Sequence, residues 1–196
     1  GPEASFVATV PADNVSATLA VLAGRCGKPG TAVRIWRRTY ASVLSDQHRG
    51  LGQLSILSDG TGEILRTESA ERMSISHIAK ARAKPVLRAR HVTQAQVGVG
   101  VGHFAGALGF ELAHEQLRRG VVFEQGPAII HLFELCRRRQ RSEHGVAGKD
   151  DEWEPLGEGL WLVEASFHGD QNLRTLLTAA DAWADAIEPH ATLQPI

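Results

Sequence analysis

Most of the β-prone runs in this chain are joined by turns of a few residues, and that spacing constrains the fold more than any single motif does. Parallel neighbours need a crossover of a dozen residues or more, whereas antiparallel neighbours need only a tight turn. The runs are "SFVATV" (Ser5 to Val10), "TAVRIWRRTYASVL" (Thr31 to Leu44), "LGQLSILS" (Leu51 to Ser58), "PVLRARHVTQAQVGV" from Pro85, Leu112 to Arg118, "VVFEQG", "AIIHLFELCRRR" (Ala128 to Arg139) and "LWLVEASFH" (Leu160 to His168). "SDQHRG", "DGTG" (Asp59 to Gly62) and Arg119-Gly120 read as turns, the second of the hairpin kind. In "AIIHLFELCRRR", Ile130, Leu132 and either Phe133 or Leu135 can share a face.

Three helices interrupt the strands. Val15, Leu19 and Leu22 recur at helical spacing, with Asp13 or Asn14 available as an N-cap and Gly24 or Gly27 as the stop. "GHFAGALGF" predicts a short central helix ending at Gly109. "DQNLRTLLTAADAWADAIEPH" carries an apolar stripe of Leu173, Leu176, Leu177, Ala180, Trp183, Ala184 and Ile187, which needs a sheet to cover it. The pattern predicts an α+β fold: one large antiparallel sheet curved into a barrel, flanked by an N-terminal, a central and a C-terminal helix. We expect one domain over residues 3–196, with a flexible polar loop over 140–159; Gly1-Pro2 reads as a protease-cleavage scar from expression. Residues 67–84 fit either a helix or a basic insertion that Pro85 stops.

Charge and cysteines narrow the function. A formal net charge of -1 gives no global field toward nucleic acid or an acidic membrane. No apolar run is long enough to span a bilayer, and Cys26 and Cys136 are too far apart for a metal-ligand motif, so a reduced intracellular pair is expected.

Candidate chemistry is sparse. His114 and Glu115 are adjacent on a predicted strand, so their side chains leave opposite faces and cannot converge on one atom. "FAGALGFELAHE" is similar to a passage of the glyoxalase-like metalloenzymes, but "FVATV" supplies no His or Glu as a first ligand. There is no Gly-x-Ser-x-Gly elbow, and "GVGVGHFAG" lacks the Lys-Ser/Thr ending of a phosphate loop. "CRRRQR" (Cys136 to Arg141) fits a nuclear signal, a phosphate-contact patch or a solvated cluster. The arginines of "VRIWRR" and "LRAR" fit either a polar lumen or an outward charged edge.

Taken in order, these pieces resemble the family of Mediator complex subunit 18. The resemblance rests on "FVATVPADNVSATLAVLAGRCG", "VRIWRRTY", "LGQLSIL", then Gly109, Phe110, His114, Glu115, Gly120, Phe123 and Gly126 as a structural signature. A strand ending in Arg137-Arg138, "LWLVEAS" and a closing helix complete it. It covers most of the chain outside 67–84 and 140–159. Within it, Gly120 is expected to permit a tight turn and Phe123 to anchor the next strand.

The resemblance implies a barrel related in shape to metal-dependent RNA triphosphatases, and a nuclear, non-catalytic subunit of the Mediator head module that regulates RNA polymerase II transcription. Implied partners are Mediator subunit 20, a C-terminal helix of subunit 8 held in an apolar groove, and other head-module subunits, with RNA polymerase II reached indirectly. No catalytic, metal or cofactor-binding residue, membrane contact or sequence-specific nucleic-acid contact is implied. The alternative is a barrel metalloenzyme, a triphosphatase-like phosphohydrolase or a glyoxalase-like enzyme. Triphosphatases of this shape need Glu-x-Glu pairs on tunnel strands. "SFVATV" has no acid, and Glu164 stands alone between Leu162 and Ser166, so an empty barrel is expected.

Overall fold

The computed structural model describes residues 1–42, 53–68, 86–98, 100–139 and 152–195. Eight strands close an antiparallel barrel: β1 (Pro2–Val10), β2 (Thr31–Ser42), β3 (Gln53–Ser58), β4 (Glu63–Glu68), β5 (Arg88–Val97), β6 (Phe110–Gln125), β7 (Ala128–Arg138) and β9 (Trp161–His168). Around the barrel the order is β1-β5-β4-β3-β2-β6-β7-β9, and β9 pairs back to β1. Two short strands extend the wall: β8 (Trp153–Pro155) pairs antiparallel with the end of β7 beyond β9, and β10 (Thr192–Leu193) covers the edge of β1 that β5 leaves.

The predicted α+β barrel with three flanking helices is the observed fold. α1 (Val15–Cys26) stops at Gly27 in the left-handed conformation. Asn14 sits at its N-cap position but donates instead to the His190 carbonyl, tying α1 to the C-terminal segment. α2 (Val101–Ala107) is the central helix, and Gly109 follows it at φ 85°. α3 (Leu173–Ile187) begins at Asn172, whose Oδ1 accepts from the Thr175 amide at 2.9 Å.

Period-two alternation on β1, β7 and β9 puts the apolar core outside the barrel. Ala4, Phe6 and Ala8 on β1, Ile130 and Leu132 on β7, and Val163, Ala165 and Phe167 on β9 are fully buried in one cluster with Leu176, Leu177, Ala180, Trp183 and Ile187 of α3. The alternate residues face the lumen, where charged and polar groups such as Glu3, His131 and Glu164 mix with apolar ones such as Val7, Phe133 and Leu162, while the face under the helices is apolar.

Several local expectations need correction. β1 starts at Pro2, three residues earlier than "SFVATV", and thereby brings Glu3 into the wall. No turn occurs at Arg119-Gly120: β6 is one 16-residue strand from Phe110 to Gln125, pairing β2 and β7 through that point. β4 follows the "DGTG" turn, where Asp59 accepts from the Thr61 amide and hydroxyl. Within the predicted 140–159 loop, Trp153–Pro155 pair with Cys136–Arg138. The expectations for "SDQHRG" and for nearly all of residues 67–84 fall outside the described residues.

Candidate functional site in the barrel lumen

The lumen collects a polar group from every strand of the barrel. At one end Glu3 of β1 lies between Arg66 of β4 and Arg90 of β5. Its Oε1 accepts from Arg66 at 2.9 Å and from Arg90 at 2.8 and 3.0 Å, and its Oε2 accepts from Arg66 at 3.0 Å. Glu68, also on β4, accepts from Arg66 at 2.7 Å and from Arg90, closing a ring of two carboxylates and two guanidiniums. Burial alone would lower the Arg66 pKa, but Glu3 and Glu68 hold it above the ordinary value.

The ring continues into a second group. Arg37 of β2 lies 3.9 Å from Glu68 and donates to the Ser55 hydroxyl of β3 at 3.2 and 3.3 Å. Arg118 of β6 stacks over Phe133 and donates both terminal nitrogens to Glu164 of β9, at 3.0 and 3.2 Å. Burial would raise the Glu164 carboxyl, yet the charge and hydrogen bonds of Arg118, helped by Arg37 and Arg66, bring it down to about 2.

His131 of β7 sits opposite Glu164 in the β7–β9 register. Its ring lies 4.6 Å from that of Phe133. Burial, and then repulsion from Arg118, lower its pKa to about 4. The unfolded chain therefore takes up a proton on His131 below pH 6.5 that the folded chain refuses until about pH 4. Stability falls with acidification through that interval, and Glu164 adds a further loss between its ordinary 4.5 and about 2. At pH 5 the His131 part amounts to about 2 kcal/mol. Urea unfolding at pH 7.5 and pH 5 should show His131→Gln losing less stability than the parent by about this amount; equal losses would refute the assignment.

The residues singled out from the sequence divide between inside and outside. Glu164 and Arg90 line the lumen, as does Arg37, whereas Arg38 points outward, donates to Glu63 at 2.6 Å and stacks on Trp36. His114 and Glu115 take opposite faces, as expected. His114 is exposed, and Glu115 accepts from the Trp36 indole at 3.0 Å and from Arg138. Arg137 and Arg139 pair with Glu154, and Arg138 with Glu115 and Glu152. The described arginines of "CRRRQR" thus form solvated ion pairs with Glu152 and Glu154 at β8 and with Glu115 of β6. Both cysteines are free, Cys136 buried and Cys26 partly so. Phe110 opens β6, Phe123 lies in the core, and Gly126 turns the β6–β7 hairpin at φ 56°.

Glu3, Arg66, Arg118 and His131 were not singled out from the sequence as lumen residues. For Glu3 the missing signal was a strand start hidden by Pro2 and a run of small residues; for Arg118, a predicted turn that is absent. Among the described residues no group of three or more His, Cys, Asp or Glu side chains is placed to hold a metal ion.

No protein-family model and no curated protein matches the sequence. Similarity appears at the level of structure. A chain of the Schizosaccharomyces pombe Mediator head module superposes with a TM-score of 0.71 at 13% identity, covering 100% of this chain and 99% of that one. A Pyrococcus horikoshii protein gives 0.61 at 9% identity over 99% of this chain and 94% of its own. A Hippeastrum protein, assigned as an adenylyl cyclase and having a dominant triphosphatase activity, gives 0.51 at 10% identity over 93% and 86%. The chain thus has the fold of a Mediator head component, shared with triphosphatase- and cyclase-type barrels.

Proposed function

We propose that this chain is the subunit-18 component of a nuclear Mediator head module, a single-domain scaffold that pairs with subunit 20 and holds a C-terminal helix of subunit 8. The observation that carries this reading is end-to-end similarity to a Mediator head chain, over 100% and 99% of the two chains. Gly109, Phe110, His114, Glu115, Gly120, Phe123 and Gly126 are then a structural signature that shapes the α2–β6–β7 region.

The lumen chemistry supports a scaffold over a metal-dependent phosphohydrolase. A divalent cation needs carboxylate oxygens free to coordinate it. In the ring, guanidinium groups engage both oxygens of Glu3 and of Glu68, and Arg118 engages both oxygens of Glu164.

A partner surface is available beside α2. Phe104 and Leu108, four residues apart, are 60% and 50% exposed, and Leu112 at the start of β6 is 50% exposed. Large apolar side chains left in water within one short stretch of chain suit a protein contact. Light scattering of this chain with subunit 20 and the subunit-8 helix from the same organism should give a one-to-one-to-one mass. Phe104→Asp should weaken the assembly by about tenfold or more. A chain that stays alone with both partners sinks the scaffold reading, and metal-dependent phosphate release abolished by Glu164→Gln would replace it.

A further inference from the structure

β5 is longer than the strand that covers one of its edges. Val92–Val97 pair with β4 without a register shift, but on the other side β1 reaches only Arg88–His91. Gly1 adds the last rung, donating to the Val92 carbonyl at 2.7 Å and accepting from the Val92 amide at 2.9 Å. Antiparallel partners exchange both bonds at alternate residues, so the backbone groups of Gln94 and Gln96 point to the same side as those of Val92. Among the described residues no strand pairs with them there. Thr93, Gln94, Ala95 and Gln96 are all exposed.

These open rungs lack the usual protection. Edge strands are blunted by charge, proline or a bulge, and Thr93–Val97 has none of the three. The segment also fits itself. With Ala95 on a two-fold axis, an antiparallel second copy sets Gln94 against Gln96 and Thr93 against Val97. Each Gln94–Gln96 rung then closes by a reciprocal pair of backbone hydrogen bonds. The glutamine side chains, each both donor and acceptor, match across it as well. Ala95 meets its own image at a non-hydrogen-bonded position, where side chains come closest and a methyl group leaves space. An isologous contact brings like residues together, and this segment carries no charge to repel its copy.

We propose that Thr93–Val97 of β5 pairs antiparallel with the same segment of a second copy of this chain, joining two barrels through one continuous sheet. Gly1 closes the edge at Val92 and β5 ends at Val97, so the ladder is short. It buries less than the ~1,000 Å² of a stable interface, and the dimer is weak, with a Kd on the order of 0.1 mM. The contact does not rest on the scaffold reading, because it is read from the β5 edge and tested on this chain alone.

Sedimentation equilibrium of the full chain, from about 10 μM to about 1 mM, tests this. The mean mass should rise from monomer toward dimer across that range, and the Gln94 and Gln96 amides should gain protection from exchange in step with it. Ala95→Lys and Ala95→Glu, both at an exposed position, should each weaken association about fivefold by setting like charges on the axis. An equimolar mixture of the two variants should associate as well as the parent or better, because opposite charges then meet. Gln96→Pro removes an edge-side N–H, leaves the β4 ladder intact and should also weaken the dimer. A monomer at every concentration, or charged variants that associate as the parent does, overturns the proposal. A monomer whose Gln94 and Gln96 amides are already protected gives the edge to another segment of the same chain, and overturns it too.

Discussion

Gly120→Ala should be among the most destabilising single methyl additions in this protein, with a loss of about 3 kcal/mol or more and folding impaired at 37 °C. A Cβ at this position would stand 2.0 Å from the Leu132 carbonyl oxygen and 2.6 Å from the Phe133 Cα. Both obstacles are backbone, so no rotamer change relieves them. Gly120 pairs with Val33 on one side and Phe133 on the other, in the middle of the strand that joins the β2 side of the barrel to the β7 side. Glycine within a strand commonly marks such a close backbone approach, and barrels use it where the wall must bend. Gly24→Ala supplies the control. Gly24 lies inside α1 with nothing within 4 Å of its would-be Cβ, so alanine there should be neutral or stabilising by up to about 1 kcal/mol. Denaturant midpoints of the two variants measure the contrast. Equal midpoints would mean that β6 and β7 do not approach this closely.

The same glycine shows where the sequence was legible and where it was not. Gly-containing dipeptides are turn signals, and Arg119-Gly120 between two apolar runs fits that rule. Nothing local tells a turn glycine from one that a neighbouring backbone crowds, because the crowding residues lie twelve and thirteen positions away. Elements set by local periodicity were readable for the opposite reason. The α3 stripe from Leu176 to Ile187 needs only its own spacing to declare a buried face, and it is buried as expected. The antiparallel barrel was readable because short connections permit few other topologies. The lumen site was the hardest part. Arg37 and Arg38 are adjacent and chemically identical, and only the pleat, once the register with β3 and β6 is fixed, sends one inward and the other outward. Glu164 was visible as an isolated acid on a clear strand, but its partner Arg118 is 46 residues away on a strand predicted to end there.

Removing one member of the inner ring should be costly, and removing all four should not. Glu3 has 2% side-chain exposure, Glu68 10%, Arg66 12% and Arg90 20%, so water and salt screen these charges poorly. Glu3→Leu leaves two guanidiniums in the wall with Glu68 as their shared neighbour. The expected loss is about 3–5 kcal/mol, the range for breaking a buried pair from one side. That loss should hardly change between low and high salt, unlike any effect of Arg137→Met, whose partner Glu154 is solvated. The fourfold change Glu3→Leu, Arg66→Met, Glu68→Leu and Arg90→Met removes the four desolvated charges of the ring together and should recover most of the parent stability, less the loss of the Glu68 carboxylate 3.9 Å from Arg37. Chemical denaturation of the single, paired and fourfold variants gives the coupling energies directly. Strongly non-additive values, with the fourfold variant near the parent, mean that the ring trades attraction against desolvation almost evenly. Its contribution is then to the register of β1 against β4 and β5, and the fourfold variant should show a less uniquely ordered barrel by amide exchange. Additive losses would instead make the ring a net source of stability, in which each ion pair outweighs the hydration it gave up.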